Sequence, residues 1–179
     1  TSFVDAVMAG HVSAADLAAV SVGASIYTML MVTLMGLLLA ISPMAAQKIG
    51  AKEQADLPAL TQQSLYQGLF TGLVAVALAH ALLPVFDHLG LSTDVNDKAQ
   101  RFLSAVSWGL PALAISRVLY GYSSALNHTK PMMLIALIAL ALNIPANWLL
   151  IYGHFGFPAL GAVGCGWATA FCMWVSALM

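Results

Sequence analysis

Residues 131–152 read PMMLIALIALALNIPANWLLIY, and this run of 22 residues contains no charged side chain. A helix needs about 20 apolar residues to cross the hydrocarbon core of a bilayer, so the run predicts one complete membrane span. Within it, Asn143 and Asn147 flank Pro145. The apolar length of the stretch indicates a helical membrane protein. A proline disturbs the backbone, and irregular backbone at membrane depth is tolerated only where it faces protein or water, so residues 143–147 are also a candidate functional site.

The composition of the whole chain agrees with a membrane protein. Of its 179 residues, 61% are hydrophobic and 7% are charged, whereas soluble domains carry about a quarter charged residues. The formal net charge of −1 gives no basic surface, so we expect no nucleic-acid partner. Cys165 and Cys172 are seven residues apart, about 10 Å along a helix, which is too far for a disulfide.

Other apolar runs lie on both sides of residues 131–152, separated by polar connections. Ser13 and Asp16 form a capping box that predicts the start of the second helix. The last apolar run stops abruptly at Met179, and the chain does not begin with methionine, so we interpret it as a piece of a longer polypeptide. We expect a partial helix in residues 1–10, complete spans within residues 17–42, 65–86, 102–126 and 131–152, and a clipped last span.

The basic residues of the connections give a weak orientation. If the loops alternate between the two sides, Lys48, Lys52 and Lys130 lie on one side of the membrane. Lys98 and Arg101 lie on the other side. The first side carries one more basic residue than the second, so the positive-inside rule predicts that the first side is cytoplasmic.

The polar motif of residues 143–147 has two interpretations. Asn143 and Asn147 are four residues apart on a helix, so both amides point to one side. Pro145 has no amide hydrogen, so the carbonyl of Ala141 loses its helical partner and we expect a kink. These oxygens suit a monovalent cation such as Na⁺. Alternatively, the two amides bond to a neighbouring helix and only stabilise packing, and the spacing alone favours neither interpretation.

Asp5 is a second candidate for a functional residue. A carboxylate on a membrane helix has a high free-energy cost in lipid, so it usually faces the interior of the bundle. Alternatively it lies close to the helix end, about 9 Å away, where a polar group is tolerated. We expect Pro111 to break the span over residues 102–126. Arg117 lies within the same span, and we interpret it as a structural residue that snorkels or pairs inside the bundle. The glycines of GLFTG, residues 68–72, and GAVGCG, residues 161–166, indicate close helix packing.

Four motifs in collinear order resemble the multidrug and toxic compound extrusion (MATE) family, most closely its NorM-type bacterial branch. They are FVDAVMAGHVSAADLAAVSVGAS at residues 3–25, SPMAAQKIGA at 42–51, NHTKPMM at 127–133, and LNIPANWLLIYGHFGFPALGAVGCGWATA at 142–170. The resemblance covers the whole chain. It implies the N-terminal half of a transporter with twelve helices in two six-helix lobes, which exports organic cations in exchange for Na⁺ or H⁺.

The resemblance also implies roles for individual residues. Asp5 matches an essential cation-linked aspartate, and Asn143 and Asn147 match a polar pair of the same site. Thr169, in GWATA, aligns with a polar residue that faces the same pocket. Some members carry aspartate at the second position of the pair, so the site of this chain is less acidic and its coupling ion stays open. From its missing backbone donor, and not from the resemblance, we predict that Pro145 is the hinge of the ion-linked movement.

These observations predict an all-α, polytopic membrane protein in which residues 1–179 form the N-terminal transmembrane lobe, with a truncated first helix. The predicted function is multidrug efflux by cation-coupled antiport and alternating access, in the inner membrane of a bacterium. Small organic cations and drugs are the expected substrates, lipid surrounds the helices, and the missing C-terminal lobe is the expected partner. We expect no cofactor other than the coupling ion, Na⁺ or H⁺.

Two alternative functions remain. One is a lipid-linked saccharide flippase of the same superfamily, for which a cavity rich in Arg and Lys would be expected. The other is a membrane-embedded enzyme, which would need an acid–base or metal cluster. The sequence contains no nucleophile with its base, no phosphate-binding loop and no metal-ligand spacing, so the enzyme ranks last.

Overall fold

A computed structural model of the chain describes residues 2–127, 129–153 and 158–179. Every regular element within these residues is helical, which confirms the predicted all-α fold. Short 3₁₀ helices occupy Gln54–Asp56 and Leu83–His88. The α-helices are α1 (Ser2–Val12), α2 (Ala14–Leu38), α3 (Ile41–Gly50), α4 (Leu57–Ala81), α5 (Thr93–Ser107), α6 (Leu110–Ala125), α7 (Thr129–Tyr152) and α8 (Ala162–Leu178).

Four helical stretches are long and apolar enough to cross a membrane. Large apolar side chains point outward from them, including Leu39 at 74% and Phe70 at 68% exposure. Such exposure is costly in water but favourable in lipid, so the protein is a multi-pass membrane protein. The four stretches are Ala14–Gly50, Leu57–His88, Thr93–Ala125 and Lys130–Tyr152.

The third span differs from its prediction at both its start and its break. The charged segment before residue 102, expected as a connection, is already helical from Thr93. It is stabilised as a helix by ion pairs one turn apart, Asp94 with Lys98 and Asp97 with Arg101. The break lies at residues 108–109 rather than at the proline, because Pro111 occupies the first turn of α6, where no helical donor is lost.

Glycines allow two pairs of helices to approach closely, as the sequence predicted. A side-chain carbon added at Gly72 of α4 would lie 2.6 Å from the Cα of Pro111 on α6. One added at Gly164 of α8 would overlap the carbonyl oxygen of Leu150 on α7. These contacts leave no room for a larger residue, and the second pair positions the two helices that carry most of the candidate site.

The corner between α1 and α2 is fastened to the start of α8. Ser13 caps α2 and its hydroxyl also bonds to Asp16, which confirms the predicted cap. Asp16 is only 4% exposed. Its Oδ1 accepts a hydrogen bond from the backbone N–H of Ala162 at 2.9 Å, and its Oδ2 forms an ion pair with the Nζ of Lys98 at 3.3 Å. The sequence predicted the cap but not this link between helices 146 residues apart.

Candidate functional site

Four polar side chains from three helices meet inside the bundle. Asp5 comes from α1, Asn143 and Asn147 from α7, and Thr169 from α8. All four are buried, with exposures of 6%, 0%, 0% and 7% respectively. These are the residues that the sequence and the family resemblance predicted, and the structure brings all of them together.

The Asp5 carboxylate is the centre of this cluster. Its Oδ1 accepts a hydrogen bond from the Nδ2 of Asn147 at 2.6 Å, and its Oδ2 accepts one from the hydroxyl of Thr169 at 3.2 Å. Both donors are neutral. Among the residues that the structure describes, no Lys, Arg or His forms an ion pair with Asp5, so its charge has no compensating cation in this arrangement.

The two asparagines make one polar patch on α7. Asn147 Nδ2 donates to Asn143 Oδ1 at 3.3 Å as well as to Asp5, so the predicted arrangement on one face is correct. Among the described residues, Asn143 Nδ2 and Asn147 Oδ1 form no hydrogen bond to a nitrogen or oxygen atom, and the thiol of Cys172 faces the Asn143 amide. The bond from Asn147 to Asp5 joins α7 to α1, so the ion-site and helix-packing interpretations of the pair both stay open.

A small cavity opens beside the carboxylate. Asp5 and Thr169 line it together with Tyr27, Phe102 and Met173, and its volume is about 70 Å³. A water molecule takes up about 30 Å³ of the liquid, so this space suits a small ion with little water. Sites for drug-sized molecules measure about 300–1,000 Å³, well above the volume of this cavity.

Pro145 lies between the two asparagines, and α7 remains helical through it from Thr129 to Tyr152. The helix therefore does not unwind there. The missing amide hydrogen still leaves the Ala141 carbonyl without its helical donor, which weakens the helix at this one turn. The hinge role of Pro145 stays a prediction.

Two residues of the site were not expected from the sequence. Cys165 is fully buried and its thiol faces the Asp5 carboxylate. It precedes Thr169 by four residues, so helical spacing could have indicated it. Tyr27 on α2 lines the cavity, and its hydroxyl lies 3.6 Å from the sulfur of Met173. No sequence pattern places α2 beside α8 at this point.

The donor atoms decide which ligands the site could hold. In the described ranges, no group of three or more His, Cys, Asp or Glu side chains is placed to bind a metal. The site instead offers one carboxylate, two amides and one hydroxyl. Oxygen donors of this kind suit hard cations, and the carboxylate alone can also accept a proton.

Comparisons with known proteins agree on one family. The family model described as MatE matches residues 1–149. The chain is 43% identical over 179 residues to the probable multidrug resistance protein NorM of Chromobacterium violaceum, covering 99% of this chain and 38% of that protein. It is 40% identical over 177 residues to the multidrug resistance protein MdtK of Photorhabdus laumondii, covering 98% of this chain and 39% of that protein.

A solved structure shows the same fold. The crystal structure of the Vibrio cholerae MATE transporter VcmN in the bent form matches with a TM-score of 0.78 at 21% identity. The match covers 96% of this chain and 39% of that one. The chain thus spans about two-fifths of the length of the proteins that it matches.

Proposed function

We propose, from the premise that this chain belongs to the MatE family, that the protein containing it exports organic cations and other xenobiotics across a bacterial inner membrane. The observation that carries the proposal is the buried Asp5 carboxylate, which accepts hydrogen bonds from neutral donors among the residues that the structure describes. Charged groups inside a membrane protein are costly and commonly mark ion or proton pathways. The names of the relatives, multidrug resistance proteins NorM and MdtK, support the substrate class.

Ion binding at Asp5 drives export only if the inward-open and outward-open states bind the ion with different affinity. The cluster joins α1, α7 and α8, so a relative movement of these helices changes the distances between its oxygen atoms. An ion held in one state and released in the other then couples its gradient to alternating access. Pro145 is the proposed hinge, because α7 lacks one backbone hydrogen bond between the two asparagines.

The coupling ion that we favour is Na⁺. Asn143, Asn147 and Thr169 add oxygen atoms around Asp5 but no titratable group, which is useful for a metal cation and unnecessary for a proton. Rotation of the Asn147 amide by half a turn would replace its nitrogen with its oxygen beside Asp5. Two oxygens facing each other repel unless a cation lies between them, so this rotation would accompany Na⁺ binding.

The flippase alternative has less support. The cavities on α6 contain one basic residue, Arg117, among the residues that the structure describes. A flippase for lipid-linked saccharides was expected to have a cavity rich in Arg and Lys, and these cavities hold one such residue. An exporter of cations and drugs agrees better with a cavity lining that is mostly apolar.

Transport by the purified full-length protein in liposomes tests this function. An inward Na⁺ gradient should drive ethidium in the opposite direction, whereas a pH gradient at equal Na⁺ should not. Movement driven by the pH gradient alone would replace Na⁺ by H⁺ as the coupling ion. Absence of ethidium movement under both gradients would contradict the exporter itself.

A further inference from the structure

Asp16 is a buried carboxylate that the ion mechanism described above does not use. Within the described ranges, Asp5 and Asp16 are the two buried acidic side chains. Asp16 accepts hydrogen bonds from the Ser13 hydroxyl and from the backbone N–H of Ala162, and it forms an ion pair with Lys98. These contacts, which we call the Asp16 junction, join α2, α5 and α8 through one side chain. Capping α2 requires only Ser13, so the burial of a charged group here needs another explanation.

The start of α8 depends on this carboxylate. The first N–H groups of a helix have no partner within the helix and form its positive end. The residue before α8, Gly161, provides no side-chain cap, and the Oδ1 of Asp16 accepts the N–H of Ala162 instead. Gly161 has a φ of +53°, and a Cβ added to it would lie 2.6 Å from the same oxygen. The chain entering α8 is thus fitted around Asp16, which determines both the axial position and the rotation of α8.

Each of the three helices in the Asp16 junction also lines the ion cavity, and it does so with the same face. In each helix, a residue of the junction is followed four or seven positions later by a residue that lines the cavity beside Asp5. Residues at these spacings lie on one face of a helix, about 6–11 Å apart along its axis. The pairs are Asp16 with Val20 on α2, Lys98 with Phe102 on α5, and Ala162 with Thr169 on α8.

The packing between the Asp16 junction and the ion cavity leaves little free space. A Cβ added at Gly23 of α2 would lie 2.6 Å from the Cδ1 of Phe102, and one added at Gly166 of α8 would lie 2.9 Å from the carbonyl oxygen of Phe102. Phe102 therefore contacts both α2 and α8 beside the cavity. Close-packed interiors transmit small displacements, so a shift at the start of α8 reaches Thr169.

We propose that Asp16 is a positioning residue for the ion site: by holding the start of α8 against α2 and α5, it keeps the Thr169 hydroxyl beside the ion bound at Asp5. This inference rests on the proposed function, in which that ion is Na⁺. A slip of one residue moves a helix by about 1.5 Å and turns it by about 100°. A fraction of this slip breaks the 3.2 Å contact between Thr169 and Asp5. Lys98 already neutralises Asp16, so the junction contributes geometry and not a second ion.

A double-mutant cycle measured by Na⁺ binding to the purified full-length protein tests this role. Asp16→Asn keeps the size of the side chain but loses the charge that pairs with Lys98. Thr169→Val keeps the shape but loses the hydroxyl. Each variant should raise the half-saturating Na⁺ concentration about fivefold, the effect of losing one oxygen ligand. The double variant should stay within about twofold of either single variant, because the hydroxyl that Asp16 positions is already absent.

Two independent effects would instead multiply, so a half-saturating Na⁺ concentration about 25 times that of the wild type in the double variant would overturn the proposal. Lys98→Gln repeats the test while the Asp16 carboxylate stays in place, and Lys98→Arg, which keeps the charge, should bind Na⁺ like the wild type. Asp94→Asn removes the exposed partner of Lys98 and is the matched control. Wild-type Na⁺ binding by either Asp16→Asn or Lys98→Gln would also overturn the proposal.

General damage to the fold is measured by a variant outside the ion site. Gly72 packs against Pro111 where α4 meets α6, and no described residue of these two helices lines the ion cavity. Gly72→Ala should lower the melting temperature and leave the half-saturating Na⁺ concentration unchanged. A rise equal to that of Asp16→Asn would show that lost stability alone explains the effect, which would overturn the positioning role.

Failure of the proposed function gives a different result. The wild type would then show no saturable Na⁺ binding that depends on Asp5, and the positioning role would fall with it. A wild type that binds Na⁺ at Asp5, together with an Asp16→Asn variant of the same Na⁺ affinity, would contradict the positioning role only.

Discussion

Asn147 on α7 donates its side-chain amide to the Asp5 carboxylate on α1 at 2.6 Å, across 142 residues of sequence. Both side chains are buried, and the Oδ1 of Asn147 accepts no hydrogen bond from a residue that the structure describes. The amide thus gives the carboxylate a hydrogen bond but no positive charge. A bound cation at this position would neutralise the carboxylate. We regard this pair as the element whose distance and amide orientation change when the coupling ion binds.

Replacement of Asp5 by Asn should abolish ion-coupled efflux by the full-length protein while the protein remains in the membrane. The variant keeps the size of the side chain but removes the only charge of the cluster. Ethidium efflux from cells that lack other drug pumps measures the effect. Asp97→Asn, an exposed acid on α5, is the matched control and should export like the wild type. Normal efflux by Asp5→Asn at equal expression would refute the ion site.

The asparagine pair should set the apparent affinity for Na⁺. Asn143→Ala and Asn147→Ala each remove one neutral oxygen, worth about 1 kcal/mol, so each should raise the half-maximal Na⁺ concentration for efflux roughly fivefold. The measurement is the initial rate of efflux over a series of Na⁺ concentrations at constant pH. If both variants retain the wild-type Na⁺ dependence and only melt at a lower temperature, the amides serve helix packing instead.

Pro145→Ala should slow the conformational cycle more than it weakens ion binding. Alanine restores the backbone donor for the Ala141 carbonyl, so α7 becomes stiffer between the two asparagines. We expect a lower maximal efflux rate at saturating Na⁺, with a half-maximal Na⁺ concentration within about twofold of the wild type. An unchanged maximal rate would show that α7 does not need flexibility at this turn.

The contact between Asp16 and the start of α8 should be sensitive to Gly161. This glycine has a φ of +53°, and an added Cβ would lie 2.6 Å from the Oδ1 of Asp16. Gly161→Ala should therefore destabilise the protein by about 1–3 kcal/mol and lower its thermal midpoint. Gly36→Ala is the control, because nothing lies within 4 Å of its added Cβ. Equal melting of the two variants would contradict the tight fit at Asp16.

Residues 1–179 alone should not transport. The described residues form one bundle, and alternating access requires a second body against which it moves. The measurement is ethidium movement in liposomes that contain this chain and an imposed Na⁺ gradient, with the full-length protein as control. Movement above that of empty liposomes would show that the chain functions alone or as an oligomer.

The sequence predicted the membrane spans well, because bilayer thickness determines how long an uncharged helix must be. It also predicted that Asn143 and Asn147 share a face, because helical periodicity alone determines that relationship. The boundaries of α5 were less predictable. Residues 93–101 are charged enough to suggest a loop, and the ion pairs that make them helical are visible only once a helix is assumed.

Residue composition and periodicity alone could not join Asp5 to the two asparagines, since this contact depends on how distant helices pack. The family resemblance supplied that link, and the structure places the side chains in contact. Neither source indicated the burial of Asp16 against Ala162 or the place of Tyr27 beside the ion site. Both depend on packing between α2 and α8, for which local sequence patterns carry no signal. The orientation in the membrane stays a prediction.

Binding of radioactive Na⁺ to the purified full-length protein is the most direct test of the ion site. It should be measured at constant pH without substrate, for the wild type, Asp5→Asn and the control Asp97→Asn. We predict that Asp5→Asn loses one saturable Na⁺ per molecule and that the control binds as much Na⁺ as the wild type. Equal Na⁺ binding by Asp5→Asn and the wild type would contradict the assignment of Asp5, Asn143, Asn147 and Thr169 as a Na⁺ site.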